Sequence, residues 1–247
     1  MNVSLYQAAA AMNANARWQE IVAENLSTGQ IPGSRKQDVS FAAVQAGFSP
    51  ELSGANRNQF VIPSAVPGTN LSQGELRPTN EPKDFAIEGP GFFEIQMPNG
   101  DKAYTRNGEF LLNAQNQLIT KQGYQVLSNR GPIQLDVSNN SPISISPTGD
   151  ISQGGTNKGK LNVMEFADPR QLTSIGQGMY LADKPGMTPQ TATASQVRQS
   201  FLENANMSPL KEMGSLITAM RMFESNQKVL QMQDDRMGRV ISDLGGT

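Results

Sequence analysis

The sequence contains no cysteine and no histidine, and these two absences remove most of the chemistry that a chain of this length commonly carries. Without Cys there is no disulfide framework, no thiol nucleophile and no thiolate metal site. Without His the commonest general base, the commonest transition-metal ligand and the usual switch near neutral pH are gone. Apolar residues are also in short supply: 37% of the chain is hydrophobic and 6% aromatic, against 23 Gly and 15 Pro. That balance suits a modest core joined by turns and extended connections better than one dense globule. Neither sign of charge prevails, since 20 Lys and Arg face 22 Asp and Glu for a formal charge of −2. No basic run is long enough to follow a phosphate backbone, so nucleic acid is not an expected partner. No apolar run approaches the roughly 20 residues that span a bilayer, so membrane insertion is not expected either. The start does not read as a cleavable signal peptide, because no basic region precedes Ala8 to Met12 and Asn13, Asn15, Arg17 and Glu20 break any apolar core. Export, if the chain leaves the cytoplasm, is expected to use another route.

Motifs that carry chemistry are missing as well. The nearest approach to a dinucleotide loop, Gly176-Gln177-Gly178, lacks a third glycine and a strand-to-helix setting, so a plain turn is expected there. There is no Walker loop and no Gly-x-Ser-x-Gly elbow, and the serines have no histidine to activate them. Paired carboxylates alone suffice for glycan cleavage, yet no pair stands out; Asp234-Asp235 reads as a solvated helix surface. The sequence therefore predicts a chain that is not an enzyme and holds no cofactor or metal.

What is present lies at the two ends. From about Ser4 to Leu26, Leu5, Ala9, Met12, Ala16, Gln19, Ala23 and Leu26 recur at alternating steps of four and three, a heptad seam of mostly small residues. Ser4 with Gln7 offers a capping box, and Gly29, Pro32 and Gly33 offer a stop. Toward the other end Leu216, Phe223, Leu230, Met237 and Leu244 repeat every seven residues, with Met213, Met220 and Ile241 expected on a companion seam. Ser208 is placed to cap this helix, Pro209 to open it, and Gly245 and Gly246 to end it. A helix of roughly 35 residues with a narrow apolar stripe is stable only when the stripe is covered. The first helix is shorter by about ten residues, so part of the stripe is expected to stay open in a lone chain. Packing on the chain's own domain and pairing between subunits are both compatible with this periodicity.

Between the helices, about 33–82 collects Pro, Gly and polar residues and reads as an extended connector. From Phe85 onward turn signals come at short intervals, at Asn99-Gly100, Asn107-Gly108, Gln122-Gly123, Thr148-Gly149 and Gly154-Gly155, with short strand candidates between them. Gly91 to Met97 and Lys102 to Arg106 read as a hairpin with Phe93, Ile95 and Met97 on one face. No strand–helix–strand alternation appears. The expected fold is α+β: paired, coiled-coil-like N- and C-terminal helices (1–32 and 201–247), the connector, and a central antiparallel β domain (83–200).

Several of these residues also carry a family resemblance. Asn25-Leu26 followed by Pro32-Gly33 resembles the signature of flagellar rod and hook proteins. Asp84 to Phe93, Tyr104 to Phe110 and Gly131 to Ile133 resemble that family's central motifs in order and spacing. Leu202 to Asn206, Glu212-Met213 and Phe223 to Lys228 are similar to its C-terminal helix. The resemblance implies a structural subunit of the flagellar basal body, exported unfolded by the type III apparatus without a cleaved signal. It further implies assembly in the periplasm, with copies of itself and other rod proteins, into a drive shaft. Length and the Gly131–Ile133 segment look more like the proximal rod type than the distal rod or hook types. The expected assembly residues are Leu5, Met12, Leu26, Met213, Leu216, Met220, Phe223, Leu230, Met237, Ile241 and Leu244. The competing class is a monomeric binding or glycan-acting module.

Overall fold

The protein is described here from a computed structural model covering residues 3–46, 60–136 and 141–245. It has one helix near each end and an antiparallel β domain between them. The chain divides into two compact units. The first contains Met1–Leu26, Gln37–Gly68 and Ser208–Thr247; the second contains Ser27–Lys36 and Thr69–Met207.

In the first unit, α1 spans Val3–Thr28 and α2 spans Pro209–Gly245. α1 already includes Val3, the residue before Ser4. Proline opens α2 where its missing N–H costs nothing, and Glu212 N–H closes the first turn on Ser208 O at 3.0 Å. The segment read as an extended connector is instead partly sheet: β1 (Gln37–Ala46) and β2 (Phe60–Thr69) form a two-stranded ribbon. Pro63 and Pro67 hid this strand from the sequence reading. A two-stranded ribbon leaves one edge of each strand unpaired, and there a missing N–H breaks no ladder bond. Trp18 of α1 meets Phe41 of β1 edge to face, their ring centres 5.7 Å apart.

The second unit is built from short strands. They run β3 (Leu76–Pro78), β4 (Phe85–Glu88), β5 (Phe92–Gln96), β6 (Lys102–Thr105), β7 (Phe110–Leu112), β8 (Leu118–Thr120), β9 (Gln125–Ser128) and β10 (Gly131–Pro132). They continue with β11 (Ile143–Ile145), β12 (Asp150–Gln153), β13 (Thr156–Lys160), β14 (Val163–Glu165), β15 (Thr173–Gly176), β16 (Met179–Leu181), β17 (Gln190–Thr191), β18 (Gln196–Gln199) and β19 (Phe201–Glu203). The main sheet has the order β15-β16-β6-β5-β9-β8-β7, with β14 also on β5. β5 and β6 form the hairpin expected around Asn99-Gly100, with Ile95 opposite Ala103 and Glu94 opposite Tyr104. Alternation along β5 sends Phe93 and Ile95 into the main core with Phe85, Phe110, Leu118, Val126 and Ile133. Phe92 turns the other way, into a second cluster with Tyr104, Phe166, Leu172 and Tyr180. Asn107-Gly108 is not a hairpin turn, because β6 and β7 are not neighbours. Gly108 is needed instead for close approach: a Cβ there would run into the Phe85 carbonyl. Gly176-Gln177-Gly178 is a plain turn between β15 and β16, all three residues at positive φ.

Two pairings join strands far apart in sequence. β18 pairs with β4, and β19 pairs with β3 so that Glu203 lies opposite Leu76.

Candidate assembly surfaces and the ties behind them

On α2 the least exposed positions are Glu212, Ser215, Leu216, Ala219, Phe223, Asn226, Leu230 and Gln233, steps of three and four that trace one face of a helix. Leu216, Phe223 and Leu230 lie on that half-buried face. Met213, Met220 and Ile241, expected on a companion seam, are exposed, and the less exposed positions beside Leu216, Phe223 and Leu230 are Glu212, Ala219, Asn226 and Gln233. Apolar periodicity missed these because three of the four are polar.

Cover on that face ends at Gln233, and beyond it Met237 and Ile241, which continue the same face, are exposed. The end of α1 is tied to the start of α2 by a hydrogen bond from Asn25 to Glu212. A second open stripe, Leu210, Met213, Ile217 and Met220, follows at steps of three and four, and Met222, Val229 and Met232 lie on the opposite flank. Among the described residues, ten large apolar side chains of α2 are exposed. The side chains of Leu5 and Leu244 lie outside the described residues.

The buried face of α1 is also one position away from the expected seam. Ala8, Ala14, Asn15, Ile21, Val22 and Asn25 are buried, whereas Met12 and Leu26 are half-buried and Ala23 is exposed. Alanine occupies both faces of this helix, so apolar contrast is too weak to fix its rotation.

Asn25 shows why the Asn25-Leu26 signature requires an amide. Its Nδ2 donates to Gln37 O at 2.9 Å and to Glu212 Oε2 at 3.2 Å, and its Oδ1 accepts from Gln37 N–H at 2.8 Å. One side chain thus ties α1, β1 and α2 together. Asn25→Ala is expected to lower the stability of the first unit by about 1–3 kcal/mol, the cost of buried groups left without partners. Asn25→Asp is expected to cost more near neutral pH, because it sets a carboxylate against buried Glu212. The folded pair then holds a proton that the unfolded chain releases, so the Asp variant regains stability as pH falls through the carboxylate range. Amide hydrogen exchange at Gln37 across pH checks both.

Within the second unit, Pro32-Gly33 leads into a buried ion cluster. Gly33 takes φ +70°, and a Cβ there would lie 2.6 Å from Arg106 O; its N–H donates to Glu203 O at 2.6 Å. Two residues on, Arg35 Nη1 meets Glu203 Oε1 at 2.5 Å, and Arg106 Nη1 meets Oε2 at 3.4 Å. The three side chains are 1%, 3% and 0% exposed for Arg35, Arg106 and Glu203. Glu203 Oε1 also accepts from Gly74 N–H at 2.8 Å. Arg106 Nη2 donates to Gly89 O at 2.5 Å, and its guanidinium lies 4.9 Å from the centre of the Phe92 ring. Burial lowers the Arg106 pKa to about 10, opposed by Glu203 and reinforced by Arg35. Burial likewise raises neighbouring Tyr180 to about 12. Nearby, Asn206 accepts from Lys36 N–H at 2.7 Å and donates to Asn70 O and Ser72 O, each at 2.8 Å. None of these partners was visible in the sequence, where Arg35, Arg106 and Glu203 are isolated charges.

Residues 86–153 match the family model described as flagellar hook protein FlgE/F/G D1 domain, and residues 198–244 match that of the flagellar basal body rod FlgEFG protein C-terminal. The chain is similar to the flagellar basal-body rod protein FlgG of Borreliella burgdorferi, at 30% identity over 95% of this chain and 96% of the relative. It is similar to FlgF of Caulobacter vibrioides at 29% identity over 99% of both. FlgF of Salmonella typhimurium matches at 26% identity over 97% of both.

Proposed function

The chain belongs to the flagellar basal-body rod family, FlgF/FlgG type, a family of structural proteins and not enzymes, and from that premise we propose that its terminal helices polymerise into the rod while the β unit forms an outer layer. The observation that carries this reading is the open apolar surface of α2. Each large side chain contributes about 1.5–3 kcal/mol on full burial. Most of these side chains are about half exposed, so covering the rest of each gains about half of that, and covering six per neighbour, about 4.5–9 kcal/mol, exceeds the lower estimates of association entropy, about 4 kcal/mol. Contacts that do not close a ring build a helical filament, and long helices along its axis resist bending and twisting. In this reading the chain leaves the cytoplasm through the flagellar type III apparatus, assembles in the periplasm with copies of itself and other rod proteins, and transmits torque from motor to hook. It is closer to the proximal than to the distal rod type, on its length and the Gly131–Ile133 segment.

Met220→Asp and Ile241→Asp, both on the open surface, test the reading. Both are expected to leave the β unit folded, with unchanged exchange protection over residues 85–197, while cells that depend on the variant lack rods and do not swim. Normal rods and normal swimming in both variants sink the helix-tube reading and favour a self-contained module.

A further inference from the structure

The chain has 12 methionines, and five of them lie on α2 with exposed side chains: Met213, Met220, Met222, Met232 and Met237, each between 46% and 57% exposed. Met179, in the main core, is 5% exposed. With no cysteine anywhere in the sequence, thioethers are the groups most reactive toward peroxide.

We propose that these five methionines form a reversible oxidation site, through which peroxide determines whether α2 can be covered by a second copy of this chain; this rests on the assembly reading above. The step needs no base or metal. A lone pair on Sδ attacks one oxygen of hydrogen peroxide, the O–O bond breaks, and the products are methionine sulfoxide and water, the sulfur giving up two electrons and the peroxide accepting them. A sulfoxide is polar and chiral where the thioether was flexible and apolar. Met213 and Met220 lie on the stripe with Leu210 and Ile217, and Met222 and Met232 on the flank with Val229. Oxidation therefore places polar groups on both surfaces the chain leaves open. A sulfoxide reductase of the thiol-dependent class returns each residue to the thioether. Once covered by a neighbouring subunit the sulfurs are shielded, so sensitivity is confined to chains not yet assembled.

Two measurements on the full chain test this. Peptide mass spectrometry after graded hydrogen peroxide is expected to show oxidation at least tenfold faster at the five α2 methionines than at Met179; equal rates overturn the site. Sedimentation then compares untreated chain, oxidised chain and an oxidised variant in which Met213, Met220, Met222, Met232 and Met237 are all replaced by Leu. The untreated chain and the oxidised variant are expected to associate alike, and the oxidised wild type at least tenfold more weakly. Undiminished association of the oxidised wild type overturns the proposal, as does an equal loss in the variant. If every sample stays monomeric, the assembly reading fails and the control fails with it, while the oxidation map still reads the selectivity separately.

Discussion

Glu203→Gln is expected to destabilise the second unit by about 3–5 kcal/mol, the usual cost of removing one member of a buried ion pair. Among the described residues, Glu203 is the sole carboxylate paired with Arg35 and Arg106, and its side chain is fully buried. Gln keeps the shape and keeps an oxygen that can accept from Gly74 N–H, so the loss reports the charge rather than the volume. Two guanidinium groups then lie side by side without a counter-charge, away from water that would screen them. Replacing all three side chains together by apolar residues of similar volume is expected to cost far less, since the pair's own desolvation penalty goes with it. Urea denaturation of the three chains separates the cases. A Glu203→Gln unfolding free energy within about 1 kcal/mol of wild type, a value typical of exposed pairs, would show that water reaches the cluster.

The second large effect is expected at Gly33. An alanine there meets two penalties: a left-handed backbone at φ +70° and a methyl group pressed against the Arg106–Asn107 peptide. The first costs about 1–3 kcal/mol and the second about as much again through overpacking. Gly100→Ala supplies the control, because Gly100 has φ +90° with nothing within 4 Å of an added Cβ. Its loss measures the backbone penalty alone. Thermal unfolding of both variants gives the difference directly; equal losses would show that the Arg106 backbone gives way, and that the Pro32-Gly33 signature is only a turn requirement.

The helices and the β5–β6 hairpin were legible because each repeats a period over many residues or carries a turn with one strong chemical preference. Ser208-Pro209 located the start of α2 to the residue. Rotation of the helices was less legible. The less exposed companion positions of α2 are Glu212, Ala219, Asn226 and Gln233, which an apolar template skips, and α1 is too rich in alanine to show a preferred face. Strands of two or three residues such as β3, β10 and β19 fall below any periodic pattern. The ion cluster was illegible for a different reason: pairing is a property of three-dimensional proximity, and nothing near Arg35 in sequence announces Glu203. Asn25 lies between the two cases. The signature marked it, but its partners Gln37 and Glu212 emerged only with the fold.

The separation of those partners also bears on time. Arg35 and Glu203 are 168 residues apart, and Arg106 and Glu203 are 97 apart, while β3 waits for β19 and β4 for β18. Closing long loops comes before the contacts that reward it, which makes folding slow. A chain under synthesis lacks the residues that complete the central unit until Glu203 has been added, so for most of its elongation that unit is unfinished. The sequence distance between the charges acts as a delay, and the central unit cannot close until the last fifth of the chain has been made.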